Sequence, residues 1–297
     1  MIREKNGGSM KGVMKIAVIS VLIMLTACST RLAYNNLDWL VLWYLDDYIE
    51  LDTQQENLFD DQLNQILIWH RQQGLSGYRI QLLSFKRHIL AGELTAEQWQ
   101  KHLTQLRQHW LDLRFKFSES LVLSAVNLSP DQVHELFINL SKKSKEDRQN
   151  VLELDSSERQ AEKRNQINDS MKDQLGHVTQ AQDDMLDEFL SKQVDTKLMY
   201  LDYTQQVQKE AKDVFSGFHQ LKNETAFKQD LLAILQRPNV YRSAQLQQGM
   251  DQNRIELIRF LTDLSKSIDA QQKQHLLERV DNWLSIIDDL QEALNEQ

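Results

Sequence analysis

Residues 94–117 read LTAEQWQKHLTQLRQHWLDLRFKF. Within them Trp99, Leu103, Leu106, Trp110, Leu113 and Phe117 recur at spacings that alternate between four and three. That period puts the apolar residues on one face of an α-helix, so the stretch predicts a long helix over 96–127 packed against other helices. The start of the helix is written just ahead of it. Thr95 stands at N-cap and Gln98 three residues on, so the hydroxyl accepts an orphan backbone N–H and the amide can return the bond.

The same two signals repeat along the chain. Leu276, Val280, Trp283, Ile287, Leu290 and Leu294 form one further stripe; Leu246, Met250, Leu257, Leu261, Leu264 and Ile268 form another. Capping boxes recur at Leu128-Ser129-Pro130-Asp131-Gln132, Val178-Thr179-Gln180-Ala181-Gln182 and Ile268-Asp269-Ala270-Gln271-Gln272. Pro130 falls at the first helical position, where its missing N–H costs nothing. Gly176 is a natural helix stop, and Asn223 and Arg237-Pro238-Asn239 are breaks. Helices are predicted near 33–50, 54–73, 76–92, 96–127, 130–154, 157–175, 180–220, 224–236, 243–267 and 270–295. With 9 Gly and 2 Pro in 297 residues there is little material for hairpins or phosphate loops. The expected fold class is all-α: a multi-helix bundle with long coiled-coil-like helices. Residues 141–177 are polar, with the charge run Lys142-Lys143-Ser144-Lys145-Glu146-Asp147-Arg148. They are expected to form a solvated, protruding hairpin or to be partly disordered, within one helical domain over 34–297 that could divide into two lobes.

The first residues have a different character. Lys11 and Lys15 precede Ile16–Leu25, ten nearly pure apolar residues, and Leu25-Thr26-Ala27-Cys28 follows. The run matches a signal-peptide core and is too short to span a bilayer. The last four residues resemble a bacterial lipobox. Residues 1–27 are therefore expected to be a lipoprotein signal peptide, Cys28 the lipid-attachment site and 28–33 a short membrane tether. The alternative is an ordinary secretory signal with an incidental cysteine. Cys28 is the only cysteine, so no disulfide can form within the chain. Ser29, rather than Asp, implies delivery to the outer membrane with the protein on its periplasmic face. Tyr34 is six positions after Cys28, at most about 20 Å of extended chain, so the folded body is expected to sit against the membrane. Residues 1–27 carry a net +3 (Arg3, Lys5, Lys11 and Lys15 against Glu4), which leaves −12 for the remainder of a chain of net −9. That charge disfavours nucleic acid, which needs basic surface.

Chemistry-bearing constellations are sparse. The densest segment is Tyr34-Asn35-Asn36-Leu37-Asp38-Trp39-Leu40-Val41-Leu42-Trp43-Tyr44-Leu45-Asp46-Asp47-Tyr48, apolar on all sides from Trp39 to Leu45 and so expected to be buried centrally. The next helix carries Asp60, Asp61 and Trp69-His70-Arg71. Two readings stay open. Asp38 or Asp46 could pair with Arg71 in a buried polar link, or Asp46, Asp60 and His70 could converge as an acid/base or metal cleft. The candidate polar cluster or interaction site is thus Asp38, Trp39, Trp43, Tyr44, Asp46, Asp47, Asp60, His70 and Arg71. His102 and His109, two helical turns apart, are too distant for one ion. No Walker loop, Gly-x-Ser-x-Gly or His-Glu-x-x-His is present. No catalytic residue, metal, nucleotide or other cofactor is expected beyond the lipid on Cys28. Trp99, Trp110 and Trp283 fall on the stripes and are expected in the core.

The lipobox at Cys28, Tyr34-Asn35-Asn36-Leu37-Asp38-Trp39, Trp43-Tyr44-Leu45-Asp46-Asp47-Tyr48 and Trp69-His70-Arg71 together resemble a family of proteobacterial lipoproteins known as a domain of unknown function. That resemblance implies an envelope lipoprotein and supplies no activity. Leu94-Thr95-Ala96-Glu97-Gln98 also resembles the Leu-Thr-x-x-Gln motif of Spy/CpxP-type periplasmic chaperones, which are shorter and more basic. The expectation is a lipid-anchored, non-enzymatic protein that binds or scaffolds other envelope proteins; the alternative is a periplasmic holdase chaperone.

Overall fold

The computed structural model describes Tyr34 and residues 36–292. Cys28, the apolar run before it and Leu294 lie outside the described residues. Among those described, the chain is 87% helical with no strand. The helices are α1 Leu37–Leu45, α2 Thr53–Trp69, α3 Leu75–Ala91, α4 Ala96–Ala125, α5 Pro130–Glu153 and α6 Ser156–Leu175. They continue as α7 Gln180–Ser191, α8 Lys197–Leu221, α9 Glu224–Gln236, α10 Ala244–Ser267 and α11 Ala270–Glu292, with a 3₁₀ turn at Pro238–Tyr241.

Four apolar clusters hold these helices together. Val122 of α4, Val133 and Phe137 of α5, Phe215 of α8 and Phe227 and Leu231 of α9 form one. Met171 and Leu175 of α6, Leu186, Phe189 and Leu190 of α7 and Phe260 and Leu264 of α10 form a second, with Phe189 and Phe260 stacked at 4.7 Å. The other two lie along the seam between α3 and α11. Leu75 meets Ile286, Ile287 and Leu290 at one end; Ile89 and Leu94 meet Val280 and Leu284 at the other. Arg79–Asp288 (2.7 Å) and Lys86–Asp281 (2.5 Å) flank that seam at the surface.

Three sequence expectations change. The helix predicted over 180–220 is broken at 192–196. There the side chain of Asn253 on α10 clamps the Val194 backbone: Val194 N–H donates to Oδ1 (2.8 Å) and Nδ2 donates to Val194 O (2.9 Å). A tertiary partner thus takes the bonds a helix would have used. Conversely, the break predicted between 73 and 76 is absent. A π-turn, His70–Gly74, joins α2 to α3, and Gly74 is helical (φ −61°, ψ −52°). Its missing side chain serves packing, since a Cβ there would lie 2.6 Å from the His70 ring. Finally, α1 contains no buried residue, and Trp39 is 61% exposed. Among the described residues this nine-residue helix packs chiefly on α2, which covers one side of it. Residues 141–177 make up the end of α5, the loop after it, all of α6 and its cap; Ser144, Asn168, Met171 and Leu175 are buried, while most of the charged side chains face solvent.

Among the six most completely buried side chains are two glutamines, Gln182 and Gln272. Each stands at N3 of a capping box, three residues after its N-cap, and the two boxes lock together. Gln182 Oε1 accepts from Thr179 N–H and Gln272 Oε1 from Asp269 N–H, both at 3.0 Å. Each Nε2 donates to the other's Oε1, at 2.9 and 2.8 Å. Gln272 Nε2 donates its second proton to His177 O (3.0 Å), and Gln182 Nε2 reaches Ser267 Oγ (3.2 Å).

The arrangement occurs a second time. Asp52-Thr53-Gln54-Gln55 caps α2 and Ser129-Pro130-Asp131-Gln132 caps α5. Gln55 and Gln132 exchange amide bonds at 3.0 and 2.6 Å and donate across to Asn127 O and Glu50 O, each at 2.8 Å. In every case the receiving residue is the last but one before the partner's N-cap; its carbonyl accepts in three cases, and at Ser267 the hydroxyl (3.2 Å) is nearer than the carbonyl (3.5 Å). One amide thereby satisfies its own helix start and the end of the segment entering the opposite one.

Candidate functional site

Around the π-turn, His70 and Arg71 of the expected cluster come together with Tyr34, Tyr78 and His109, which lay outside it. His70 is the hub. Its Nδ1 is hydrogen-bonded to the Tyr34 hydroxyl (2.7 Å) and its Nε2 to the Tyr78 hydroxyl (3.0 Å). The Tyr78 ring meets His109 of α4 edge-on at 4.7 Å, and the Arg71 guanidinium lies over the Tyr34 ring at 5.4 Å. Two glycines make room: beside Gly74 sits His70, and a Cβ on Gly77 would stand 3.0 Å from His109 Cε1.

The local geometry follows from the π-turn. Five residues span His70–Gly74 instead of the α-helical turn, which shifts the face presented by α3 relative to α2. His70 and Tyr78, eight apart, then both address the side where α11 packs, and Tyr34 and Tyr78 join Trp283 against the Leu75–Ile287 cluster.

Burial governs the electrostatics. It pushes the His70 imidazole down to about 4, with His109 nearby adding to the effect. Burial pushes the Tyr34 phenol up to about 12, against the opposing pull of Arg71. Tyr78 is also raised and His109 lowered, both mainly by burial. At neutral pH His70 is therefore an uncharged ring. One nitrogen donates to a tyrosine oxygen and the other accepts a tyrosine hydroxyl proton, so both positions a metal or substrate would use are engaged. The network fastens Tyr34, the residue that follows the expected tether, to α2 and α3.

The remaining candidates are spread around it. Asp60 is half-buried on α2 with Oδ1 lacking a hydrogen-bond partner, and His70 bonds to tyrosines rather than to Asp60 or Asp46. Asp46 and Asp47 are exposed just past α1, and Asp38 is half-buried in its first turn. Trp39 stacks on Trp43 (6.3 Å, 16°), and the Tyr44 and Tyr48 hydroxyls meet at 3.0 Å. A second imidazole pair lies on α3 and α4: His88 Nδ1 and His102 Nε2 are 3.0 Å apart, with burial lowering His102. Among the described residues no group of three His, Cys, Asp or Glu is placed to hold a metal ion, and no helix is long and apolar enough to cross a membrane.

Sequence reasoning found His70 and missed Tyr78, whose partner is eight positions away across the π-turn. It also missed the box at Asp52–Gln55, although Leu51-Asp52-Thr53-Gln54-Gln55 has the form of the other four. A search for an apolar residue, a capping oxygen and a glutamine three further on recovers all five.

Trp110 and Leu106 complete the picture of α4. Both lie on the predicted core stripe, yet they are 57% and 56% exposed, because the neighbours of α4 cover only parts of its length. Comparison with curated proteins and with solved structures finds no match. A family model does match, over residues 47–245, more than half of the chain, and the chain belongs to that family of unknown function, DUF6279.

Proposed function

We propose that this protein is a lipid-anchored, non-enzymatic binding or scaffolding module, held on the periplasmic face of the outer membrane and engaging other envelope proteins. The lipobox-like Leu25-Thr26-Ala27-Cys28 supports the anchor, with the acyl chains on Cys28 as its membrane attachment. The exposure of Leu106 and Trp110 on α4 supports the binding role. Two large apolar side chains one helical turn apart, on a face that the periodicity marks for packing, fit a surface that awaits a protein partner. The acidic charge after residue 27 argues against nucleic acid as that partner.

Two measurements test the reading. Cys28→Ala is expected to abolish palmitate labelling and membrane fractionation; retained labelling would refute the anchor. A photo-crosslinking amino acid at Trp110 is expected to trap a discrete envelope protein in cells, and the same probe at the α4 position of exposed Gln105 to trap none. Equal yields from both positions would refute the binding surface. The holdase alternative predicts that the purified chain suppresses aggregation of several unrelated clients, and no effect on any of them removes it.

A further inference from the structure

The segment next to the expected anchor carries a second observation. After Asp38 in its first turn, α1 (LDWLVLWYL) is apolar on all sides from Trp39 to Leu45, yet none of its residues is buried. Trp39, Trp43 and Tyr44 are all exposed. Trp39 and Trp43, one turn apart, stack to form a single broad aromatic plate. A helix of that composition is ordinarily covered by protein or by lipid.

The length of chain that precedes α1 points to lipid. Tyr34 is fixed to the body through His70. It lies six positions after Cys28, so a lipid on that sulfur holds the membrane within about 20 Å of Tyr34, three positions before α1 begins. At 1.5 Å per residue α1 is about 14 Å long, less than half the hydrocarbon thickness, so it can lie in the interface but not span it. Tryptophan and tyrosine are the side chains favoured there, with an apolar body and a polar edge. Asp38, Asp46 and Asp47 flank the plate, which suits a zwitterionic surface over an anionic one.

We propose that α1 is an interfacial helix that lays Trp39 and Trp43 among the headgroups of the bilayer, so that the anchored protein is oriented as well as tethered. The inference rests on the lipid-anchor reading for its choice of occupant. α1 is thus a second foothold beside the acyl chains, fixing which side of the bundle faces away from the membrane.

The test uses the full chain labelled with fluorotryptophan and reconstituted into phosphatidylcholine vesicles. Trp39→Phe and Trp110→Phe assign the two resonances. Paramagnetic headgroup lipids are expected to relax the Trp39 resonance several-fold more than that of Trp110, and a water-soluble paramagnet to do the reverse. A Trp39 resonance that stays accessible to the soluble agent on vesicle-bound protein overturns the proposal. Shielding from both agents that grows with protein concentration also overturns it, by making a second copy of the chain the occupant. Mass measurement of Cys28 separates this result from the anchor reading. An acylated chain with Trp39 in water removes only the interfacial helix; an unacylated chain with Trp39 in lipid removes only the anchor.

Discussion

The two glutamine corners contain the same bonds in different surroundings. At Gln182–Gln272 both side chains are 0% exposed, enclosed where α6, α7, α10 and α11 converge. At Gln55–Gln132 both are half-exposed, on the side where α1 enters α2 and α4 enters α5. In the first corner every amide atom must find a protein partner, because water cannot replace one. In the second, water can take over any bond that is lost. The difference shows that a capping motif has no fixed worth: identical hydrogen bonds range from indispensable to nearly dispensable with the burial around them.

Breaking the buried corner is expected to have the largest effect. Gln272→Ala strands the Gln182 amide, the His177 carbonyl and the Asp269 N–H, and at 1–3 kcal/mol for each orphan it should cost about 4 kcal/mol in denaturant unfolding. A loss below about 1 kcal/mol would show that water enters the corner. The double variant Gln182→Ala/Gln272→Ala should cost much less than the sum of the two single ones, because the second substitution removes a group already orphaned.

Acidification comes next and separates this corner from the His70 network, since amides do not titrate. The folded His70 value of about 4 lies below the ordinary 6.5, so the unfolded chain takes up the proton first. Stability is full above about pH 6.5, falls as the pH drops, and levels off below about 4. The His70 contribution to that loss is about 3 kcal/mol, since each pH unit between the folded and unfolded values is worth about 1.36 kcal/mol. His70→Gln is expected to flatten the slope in this window, while Gln272→Ala leaves the slope unchanged and lowers the whole curve. The His70 ring proton, followed by NMR, should titrate near 4; a midpoint near 6.5 would contradict the buried network.

The open corner gives a smaller number. Gln132→Ala should cost about 1 kcal/mol, the ordinary worth of a cap whose partners can turn to water. Gln98→Ala should cost least, under about 0.5 kcal/mol, because Thr95 Oγ1 already accepts the Gln98 N–H and the exchange with another box is missing there. If the three glutamine variants cost the same, burial would not be what distinguishes the corners.

The helix starts were legible because capping is local: a Thr95 or Ser129 hydroxyl reaches a backbone N–H within its own turn. The stripes of α10 and α11 were legible too, with Leu246, Leu264, Val280, Ile287 and Leu290 buried as their spacing implies. The α4 stripe was a poorer guide, since periodicity reports which face can be covered and not how far the neighbours extend. Trp110 has the register of a core residue and is still exposed, because the helices packed on α4 leave that part of its face open. The break at Val194 was hidden, because Asn253 lies 59 residues away. Of the network at the π-turn, His70 and Arg71 were legible and Tyr78 and His109 were not. The π-turn that brings Tyr78 to His70 changes the register by one residue, which no regular period anticipates.

Composition, periodicity and capping chemistry by themselves determined an all-α chain and most of its helix starts, since those depend on groups within a turn or two of one another. Which boxes join, which of two like corners is dry, and which tyrosines hold His70 were decided only by the packing of helices distant in sequence. Burial sets the worth of a polar contact, and burial belongs to the assembled bundle rather than to any segment of it.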